Sequence, residues 1–292
     1  MKHDELQYRL ERFIDDERLP AAYIDLVNSH LVPLAAWIAE KKEPDQLFVM
    51  GINGAQGSGK STMTAVLSLL LGHRYGLSTA ILSIDDLYLS REKRQQLAKD
   101  IHPLFITRGV PATHDVQLGL DTLNDLKQGI ATRLPRFNKG QDNPEPESAW
   151  PRCESQVDIV LFEGWCLGLL PQPDHMLLEA INDLEAVEDA DGRWRQHVNN
   201  QLHGLYQKLF AELDALLFLE TPDFDAVRRW RAEQEAKLDL ADADLRMNPQ
   251  QLLRFIRHFE RLTDWAKQSL ADSADIVFKL GEDHQVTRVH YR

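Results

Sequence analysis

The stretch that decides the fold reads Gly54-Ala55-Gln56-Gly57-Ser58-Gly59-Lys60-Ser61. It fits the pattern G-x-x-x-x-G-K-[ST], in which a glycine-rich loop wraps the phosphates of a nucleotide with its backbone N–H groups. An apolar run at residues 47–52 predicts a buried strand before it, and residues 62–71 predict a helix after it. Strand, glycine loop and helix in this order are the context that a phosphate-binding P-loop requires.

The residue types of this loop predict how it would hold a nucleotide. Its glycines allow backbone angles that a Cβ would forbid, and the helix that starts near Lys60 adds its positive N-terminal end. We expect Lys60 to reach the β- and γ-phosphates of ATP, and Ser61 to ligate Mg²⁺. The predicted nucleotide-binding residues are Gly54, Ala55, Gln56, Gly57, Ser58, Gly59, Lys60, Ser61 and Thr62.

Composition and charge limit the classes of partner. The 292 residues are 43% hydrophobic and 27% charged, an ordinary globular composition, and the formal net charge is −13. A charge of this sign argues against nonspecific nucleic-acid binding, and the longest apolar run is too short to span a membrane. With two cysteines and no recognisable signal peptide, the chain is expected to be cytoplasmic. The sequence does not indicate an oligomeric state.

Apolar strands alternate with helical segments along the rest of the chain. Strands are predicted at residues 47–52, 79–84, 157–162, 215–219 and 274–280, with a further short strand at 286–291. This alternation is typical of a parallel sheet with helices on both faces. We therefore predict an α/β fold of the P-loop NTPase type, with three α/β/α layers and a mainly parallel five-stranded sheet. It is predicted as one domain over residues 1–292, with a helical N-terminal extension at 1–44.

The carboxyl ends of the predicted strands place acidic residues beside the P-loop. Asp85 and Asp86 follow the second strand, and Glu163 follows the third. Ligands of open parallel sheets bind beyond this edge, so these carboxylates are expected around one Mg–nucleotide site. Transfer of a phosphoryl group to a hydroxyl needs a carboxylate within hydrogen-bond reach. We predict Asp85 as the general base, Ser61 and Glu163 as metal ligands, and Asp86 as an alternative aid to Mg²⁺.

A predicted helix after the fourth strand carries Arg228, Arg229 and Arg231. Arg228 and Arg231 lie three positions apart and share a face, so either could act from a lid at residues 220–240 on the γ-phosphate. The alternative is a solvated helix face on which these arginines pair with acids of the same helix, such as Glu233 and Glu235.

Basic residues also collect between the second and third strands, in surroundings that are otherwise acidic or apolar. They are Arg108, His114, Arg133, Arg136 and Lys139. An anionic small substrate would need such groups, because arginine grips a carboxylate with two hydrogen bonds. The local positive bias therefore predicts a site for a small anionic metabolite.

Taken together, six segments resemble the P-loop kinases of the phosphoribulokinase, uridine kinase and pantothenate kinase superfamily, and in particular the D-glycerate 3-kinases of plant and fungal type. They follow one another in the order of that family, at residues 54–62, 83–88, 108–115, 134–139, 163–168 and 230–235. The resemblance implies an ATP- and Mg²⁺-dependent kinase that phosphorylates a hydroxyl of a small metabolite, with D-glycerate as first candidate.

The resemblance also implies residue roles. Asp85 matches the base of the superfamily, and the helix with Arg228 and Arg231 matches its lid. By their positions in the matching segments, the residues implied to face the acceptor are Asp86, Tyr88, Arg108, His114, Arg136 and Lys139.

Other functions stay open at this stage. Asn138-Lys139 stands where an Asp-Lys pair is expected, and residues 141–144 replace a glycine-rich segment, so pantothenate, a nucleoside or a sugar phosphate could be the acceptor. A nucleotide-dependent regulatory ATPase is a second class. A GTPase switch is disfavoured, because the base-reading pattern Asn-Lys-x-Asp fails at Gln141.

Overall fold

Strands and helices alternate along the chain, of which the computed structural model describes residues 2–154, 156–236 and 247–292. The strands in these residues are β1 (Phe48–Gly54), β2 (Thr79–Ser83), β3 (Thr132–Arg133), β4 (Phe137–Asn138), β5 (Asn143–Pro144), β6 (Arg152–Cys153), β7 (Ile159–Gly164), β8 (Ala215–Glu220), β9 (Ile276–Leu280) and β10 (Val286–Tyr291). The helices are α1 (Lys2–Asp16), α2 (Tyr23–Leu26), α3 (Val32–Lys41), α4 (Lys60–Leu70), α5 (Arg91–Asp100), α6 (Val116–Lys127), α7 (Asp183–Glu188), α8 (Arg193–His203), α9 (Leu205–Phe210), α10 (Phe224–Ala236) and α11 (Pro249–Ser269).

Six of the strands form one central sheet in the order β10-β9-β8-β1-β7-β2. Five of them run parallel, and β10 pairs with β9 in the antiparallel direction. The predicted parallel sheet of five strands is confirmed, and the predicted terminal strand joins it as a sixth, antiparallel edge strand. The remaining strands form two short ladders between β2 and β7, one of β3 with β6 and one of β4 with β5.

Helices cover both faces of the sheet, because successive side chains of the five parallel strands point into two different apolar clusters. On β1, Val49 lies in a cluster with residues of α6, α8, α9 and α11. Its neighbour Met50 lies in a second cluster with residues of α1, α3 and α4. A strand that is buried on both faces has apolar residues at nearly every position. The apolar run at residues 47–52 predicted β1 for this reason. The three-layer α/β/α arrangement is confirmed.

The N-terminal helices belong to the second of these clusters. Leu10 of α1 and Leu34 of α3 are buried there with Leu67 of α4, the helix that follows the P-loop. The helical N-terminal extension is thus part of the fold, and it packs against α4, the helix that follows the P-loop. The organisation of residues 1–292 as a single domain stays a prediction.

α10 lies within the segment predicted as a lid, residues 220–240, of which 237–240 lie outside the described residues. Among the helices that the structure describes, none is both long enough and apolar enough to cross a membrane. The cytoplasmic location stays a prediction.

Candidate active site

The P-loop joins β1 to α4 through two glycines in the left-handed region of backbone space. Gly57 has φ 77° and Gly59 has φ 89°, angles that a side chain makes costly. Gly59 is the N-cap of α4, so the loop ends at the positive end of that helix. Lys60 Nζ donates a hydrogen bond to the carbonyl of Ala55 at 3.1 Å, and burial lowers the pKa of Lys60.

Polar atoms inside this loop lack protein partners. Within the described residues, Gln56 Oε1 and Ser58 Oγ are buried and form no hydrogen bond. A Cβ built on Gly54 would lie 2.6 Å from Ser58 Oγ, so the space inside the loop has no room for a side chain at that position. Buried polar groups are normally satisfied. Their lack of partners fits a cradle whose partner is a ligand.

α10 and the turn between β9 and β10 hold the P-loop from outside. His284 Nε2 donates to the carbonyl of Gly57 at 2.8 Å, and its ring stacks on Trp230 with centroids 4.3 Å apart. Trp230 Nε1 in turn donates to the carbonyl of Glu282 at 2.7 Å. A Cβ on Gly57 would lie 2.7 Å from Trp230 Cβ. Glycine is therefore required at position 57 both for its backbone angle and for this close approach.

The two predicted metal ligands touch each other. Glu163, a buried residue of β7, accepts hydrogen bonds on Oε1 from Ser61 Oγ at 3.1 Å and from Ser83 Oγ at 2.8 Å. A hydroxyl and a carboxylate oxygen are the hard oxygen ligands that Mg²⁺ prefers. Ser61 and Glu163 therefore fit a magnesium ion beside the phosphates, with Ser83 orienting the carboxylate.

Asp85 lies in a 3₁₀ turn, Ile84–Leu87, directly after β2. Its Oδ1 accepts from the Tyr88 hydroxyl at 2.6 Å and its Oδ2 accepts from Lys139 Nζ at 2.7 Å. Burial acts to raise the pKa of Asp85, but the charges of Lys139 and Lys60 and the two hydrogen bonds outweigh it and hold that pKa well below its ordinary value. Asp85 is ionised and anchored at both oxygens.

Asp86 faces a different segment. Its Oδ1 accepts from the backbone N–H of Phe137 at 3.0 Å, and its Oδ2 lies 3.4 Å from Arg136 Nη1. Burial raises the pKa of Asp86. The two adjacent carboxylates thus differ in their partners, since Asp85 binds Lys139 whereas Asp86 fixes the strand β4 that leads to Lys139.

The loop at residues 108–115 is tied to the segment after β2 by its backbone. Leu89 N donates to the carbonyl of Thr113 at 2.9 Å, and Asp115 N donates to the carbonyl of Leu87 at 2.6 Å. The rings of His114 and Tyr88 stack with centroids 4.8 Å apart. The loop that was predicted to face the acceptor therefore lies next to the partner of Asp85.

Three of the basic residues predicted to bind the acceptor have acidic partners. Lys139 binds Asp85 and Arg136 binds Asp86, while Arg108 binds Asp142. The predicted positive bias of this region is thus largely offset by carboxylates. The pairs still place three cations within one site, where each could change partner to bind an anion.

Arg228 and Arg231 make ion pairs within their own helix. Arg228 Nη1 lies 2.8 Å from Asp225 Oδ1, and Arg231 Nη2 lies 2.8 Å from Glu235 Oε2. Within the described residues, neither guanidinium has a hydrogen bond or ion pair with the P-loop. The intrahelical pairing agrees with the alternative interpretation, although only the pair of Arg228 is solvated and that of Arg231 is largely buried. The lid role stays a prediction.

Four residues of the site have no counterpart in the sequence predictions. Arg94 is fully buried and shares Asp142 with Arg108, Tyr206 bonds His114, and His284 bonds Gly57. Asp142 alone carried a signal, because residues 141–144 departed from the expected glycine-rich pattern. The others lie far along the chain from their partners, so no local pattern marks them.

No protein-family model matches this chain. The uncharacterized kinase mug58 of Schizosaccharomyces pombe is 32% identical to it over 235 residues, which span 75% of this chain and 81% of that kinase. The chloroplastic D-glycerate 3-kinase of Arabidopsis thaliana is 28% identical over 250 residues, which span 79% of this chain and 52% of the plant enzyme. The match thus covers about half of the plant enzyme's length.

Among solved structures, a D-glycerate 3-kinase from Cryptococcus neoformans superposes with a TM-score of 0.73 at 20% identity. The superposition covers 94% of this chain and all of that one (100%). At this level of identity the likeness shows a shared fold.

Proposed function

This chain belongs to the P-loop kinase family that includes the D-glycerate 3-kinases of plant and fungal type, and from that premise we propose that it transfers the γ-phosphate of ATP to a hydroxyl of D-glycerate. One observation supports the proposal: the groups that the reaction needs lie together at one edge of the sheet, namely Lys60, the Ser61–Glu163 pair and Asp85. Lys139 contacts Asp85 through its side chain and Arg108 through its backbone carbonyl. A phosphate cradle, a metal-ligand pair, a base and cations for an anionic acceptor are the parts that this reaction needs.

The nucleotide side of the site would be served by the P-loop. Its backbone N–H groups and Lys60 would hold the phosphates, and the buried oxygens of Gln56 and Ser58 offer further contacts. Ser61 and Glu163 would hold Mg²⁺, which when bound neutralises charge on the transferred phosphate. Arg228 or Arg231 would reach that phosphate only by leaving its present partner, Asp225 or Glu235.

The acceptor side would be served by Asp85 and the neighbouring cations. Asp85 would take the proton of the acceptor hydroxyl, which makes the oxygen a better nucleophile. Lys139, Arg108 and Arg136 would bind the acceptor carboxylate by exchanging it for their present partners. Tyr88 and His114 would form the wall between these groups, since their rings stack and the Tyr88 hydroxyl donates to Asp85.

An acceptor screen tests the proposal. ADP release by the purified protein is measured with ATP and Mg²⁺ in the presence of D-glycerate, L-glycerate, glycerol, pantothenate, uridine or a sugar phosphate. We expect D-glycerate to give a rate at least about tenfold above each of the others, a discrimination that a site built around polar contacts can supply. A higher rate with pantothenate, uridine or a sugar phosphate would assign a different acceptor. Strong ATP hydrolysis that no acceptor changes would instead support a regulatory ATPase.

A further inference from the structure

A lysine forms an ion pair with Asp85, the carboxylate that we propose as the base. Lys139 Nζ lies 2.7 Å from Asp85 Oδ2, and the Tyr88 hydroxyl binds Oδ1 at 2.6 Å. Both oxygens therefore already accept a hydrogen bond, and one of the two donors carries a full positive charge. A carboxylate held in this way has a weak tendency to take a proton from an alcohol.

The two donors differ in how firmly they are held. Tyr88 is buried, and its ring stacks on His114. Lys139 has a side chain that is 61% exposed, on a flexible four-carbon stem between β4 and β5. Lys139 is therefore the partner of Asp85 that can leave without a rearrangement of the core.

The chemistry of the contact determines what can draw Lys139 away. An ammonium group gives up one carboxylate readily for another, because the new charge-assisted hydrogen bond replaces the old one. Water or a neutral alcohol offers only an uncharged acceptor, which replaces the hydrogen bond but not the ion pair. Arg108 Nη2 lies 3.5 Å from the carbonyl of Lys139, so a second cation is adjacent and could share the same anion.

We propose that Lys139 is a specificity-determining residue that masks Asp85 until an anionic group of the acceptor draws it away. The inference rests on the proposed function and narrows its substrate class to hydroxy compounds whose anionic group lies close to the reacting hydroxyl. Once Lys139 has moved, Asp85 takes the hydroxyl proton and the hydroxyl oxygen forms a bond to the γ-phosphorus. The bond from that phosphorus to the β–γ bridging oxygen breaks, and ADP leaves.

The electrostatics of Asp85 agree with such a mask. Burial acts to raise the pKa of Asp85, and Lys139 is the foremost of the groups that lower it. Removal of Lys139 leaves a buried carboxylate that is more basic than before. Movement of Lys139 from Asp85 to the anionic group of the acceptor thus both binds the acceptor and makes Asp85 a stronger base. When only water enters the site, Lys139 stays on Asp85.

The test compares Lys139→Gln with the wild type in three assays: ATP hydrolysis without acceptor, phosphorylation of glycerol, and phosphorylation of D-glycerate. We expect hydrolysis and glycerol phosphorylation to rise at least about threefold, because Asp85 is free for any hydroxyl. The KM for D-glycerate should rise roughly 10- to 100-fold, the effect of one charge-assisted hydrogen bond. The ratio of D-glycerate to glycerol activity should fall accordingly.

Three further variants make the result specific. Lys127→Gln removes a lysine that pairs with Glu212 on the surface, and it should leave all three activities unchanged. Lys139→Arg keeps the positive charge and should keep most of the discrimination. In Asp85→Asn/Lys139→Gln the extra hydrolysis should disappear, because it depends on the unmasked carboxylate.

Unchanged or reduced hydrolysis in Lys139→Gln would overturn the inference, since Lys139 would then assist every acceptor alike. So would extra hydrolysis that persists in Asp85→Asn/Lys139→Gln. The hydrolysis assay uses water as acceptor and needs no glycerate. It therefore tests the mask even where the acceptor screen rejects D-glycerate, and failure of the screen with a positive hydrolysis result would reject only the proposed acceptor.

Discussion

The hydroxyl of Tyr206 lies 2.6 Å from Nδ1 of His114 and also accepts a hydrogen bond from the backbone N–H of Ala112 at 3.1 Å. The hydroxyl oxygen acts as acceptor for Ala112 N–H, and its single hydrogen finds an acceptor if it is donated to Nδ1 of His114. His114 then carries its own hydrogen on Nε2, which is buried without a partner in the described part of the chain. The contact with Tyr206 thus favours the tautomer of His114 that carries its hydrogen on Nε2.

Replacement of Tyr206 by Phe should remove this preference and leave the fold intact. We expect the side-chain ¹⁵N spectrum of His114 to show mainly the Nε2–H tautomer in the wild type and a mixture in Tyr206→Phe. If Nε2–H contacts the acceptor, the KM for the acceptor should rise about 3- to 10-fold, the value of one neutral hydrogen bond, with the KM for ATP unchanged. His114→Gln retains a donor near the position of Nε2 and should be insensitive to the added Tyr206→Phe change. An identical spectrum in Tyr206→Phe would contradict the assignment.

Asp85 and Asp86 provide a matched pair for the base. Asp85→Asn should leave ATP affinity nearly intact and lower kcat by about 10²- to 10⁴-fold, which is the usual contribution of a general base. Asp86→Asn should instead weaken the contact with Phe137 and Arg136, so its main effect should be on the acceptor KM. ATP affinity measured by calorimetry and kcat from ADP release separate the two. Full turnover in Asp85→Asn would remove it as the base.

Two buried histidines make stability depend on pH. Burial lowers the pKa of His114 and of His258 to about 4 from 6.5. Between these values the unfolded chain binds protons that the folded chain does not, so the free energy of unfolding is fully present above about pH 6.5 and falls as the pH drops toward 4. Each histidine should account for a loss of about 2 kcal/mol between pH 7.5 and pH 5.

Urea unfolding at a series of pH values checks this dependence. His258→Gln and His114→Gln should each reduce the slope of unfolding free energy against pH by about one proton over pH 4.5–6, whatever their effect on absolute stability. A slope that both substitutions leave unchanged would show that these histidines titrate at their ordinary pKa.

The contact between His284 and Gly57 predicts an effect on nucleotide binding alone. His284→Phe keeps a ring that can stack on Trp230 but loses the 2.8 Å hydrogen bond to the Gly57 carbonyl. The P-loop should then hold its backbone less firmly, and the KM for ATP should rise about 3- to 10-fold, as for one lost hydrogen bond. Steady-state kinetics with each substrate varied in turn would detect this. An equal rise in the acceptor KM would point to general disruption instead.

Much of the fold was predictable because it is encoded locally. Apolar runs marked the parallel strands. Asp115, a residue type that is common at helix N-termini, stands directly before α6 and caps its first turn by accepting from Leu118 N at 3.2 Å. The rule that parallel strands end at one edge brought Asp85, Glu163 and the P-loop together. These inferences need only short segments and the common direction of the parallel strands.

The side-chain contacts inside the site were not predictable, because they join residues that lie far apart in the sequence. His284 is 227 positions from Gly57, and Tyr206 is 92 positions from His114. Such contacts depend on where the elements pack and not on periodicity within any one of them. The sequence likewise showed a surplus of cations near Arg108 but could not show that a carboxylate, Asp142, lies against it.

The ion pairs of Lys139, Arg136 and Arg108 also bear on how an anionic metabolite reaches the site. A chain with a net charge of −13 repels such a molecule at a distance, and Asp85, Asp86 and Asp142 offset most of the charge of the cations that would attract it. Selectivity would then arise after collision, and not from long-range steering. The association rate of an anionic acceptor should accordingly rise with ionic strength as the repulsion is screened, the reverse of what a basic binding funnel would give.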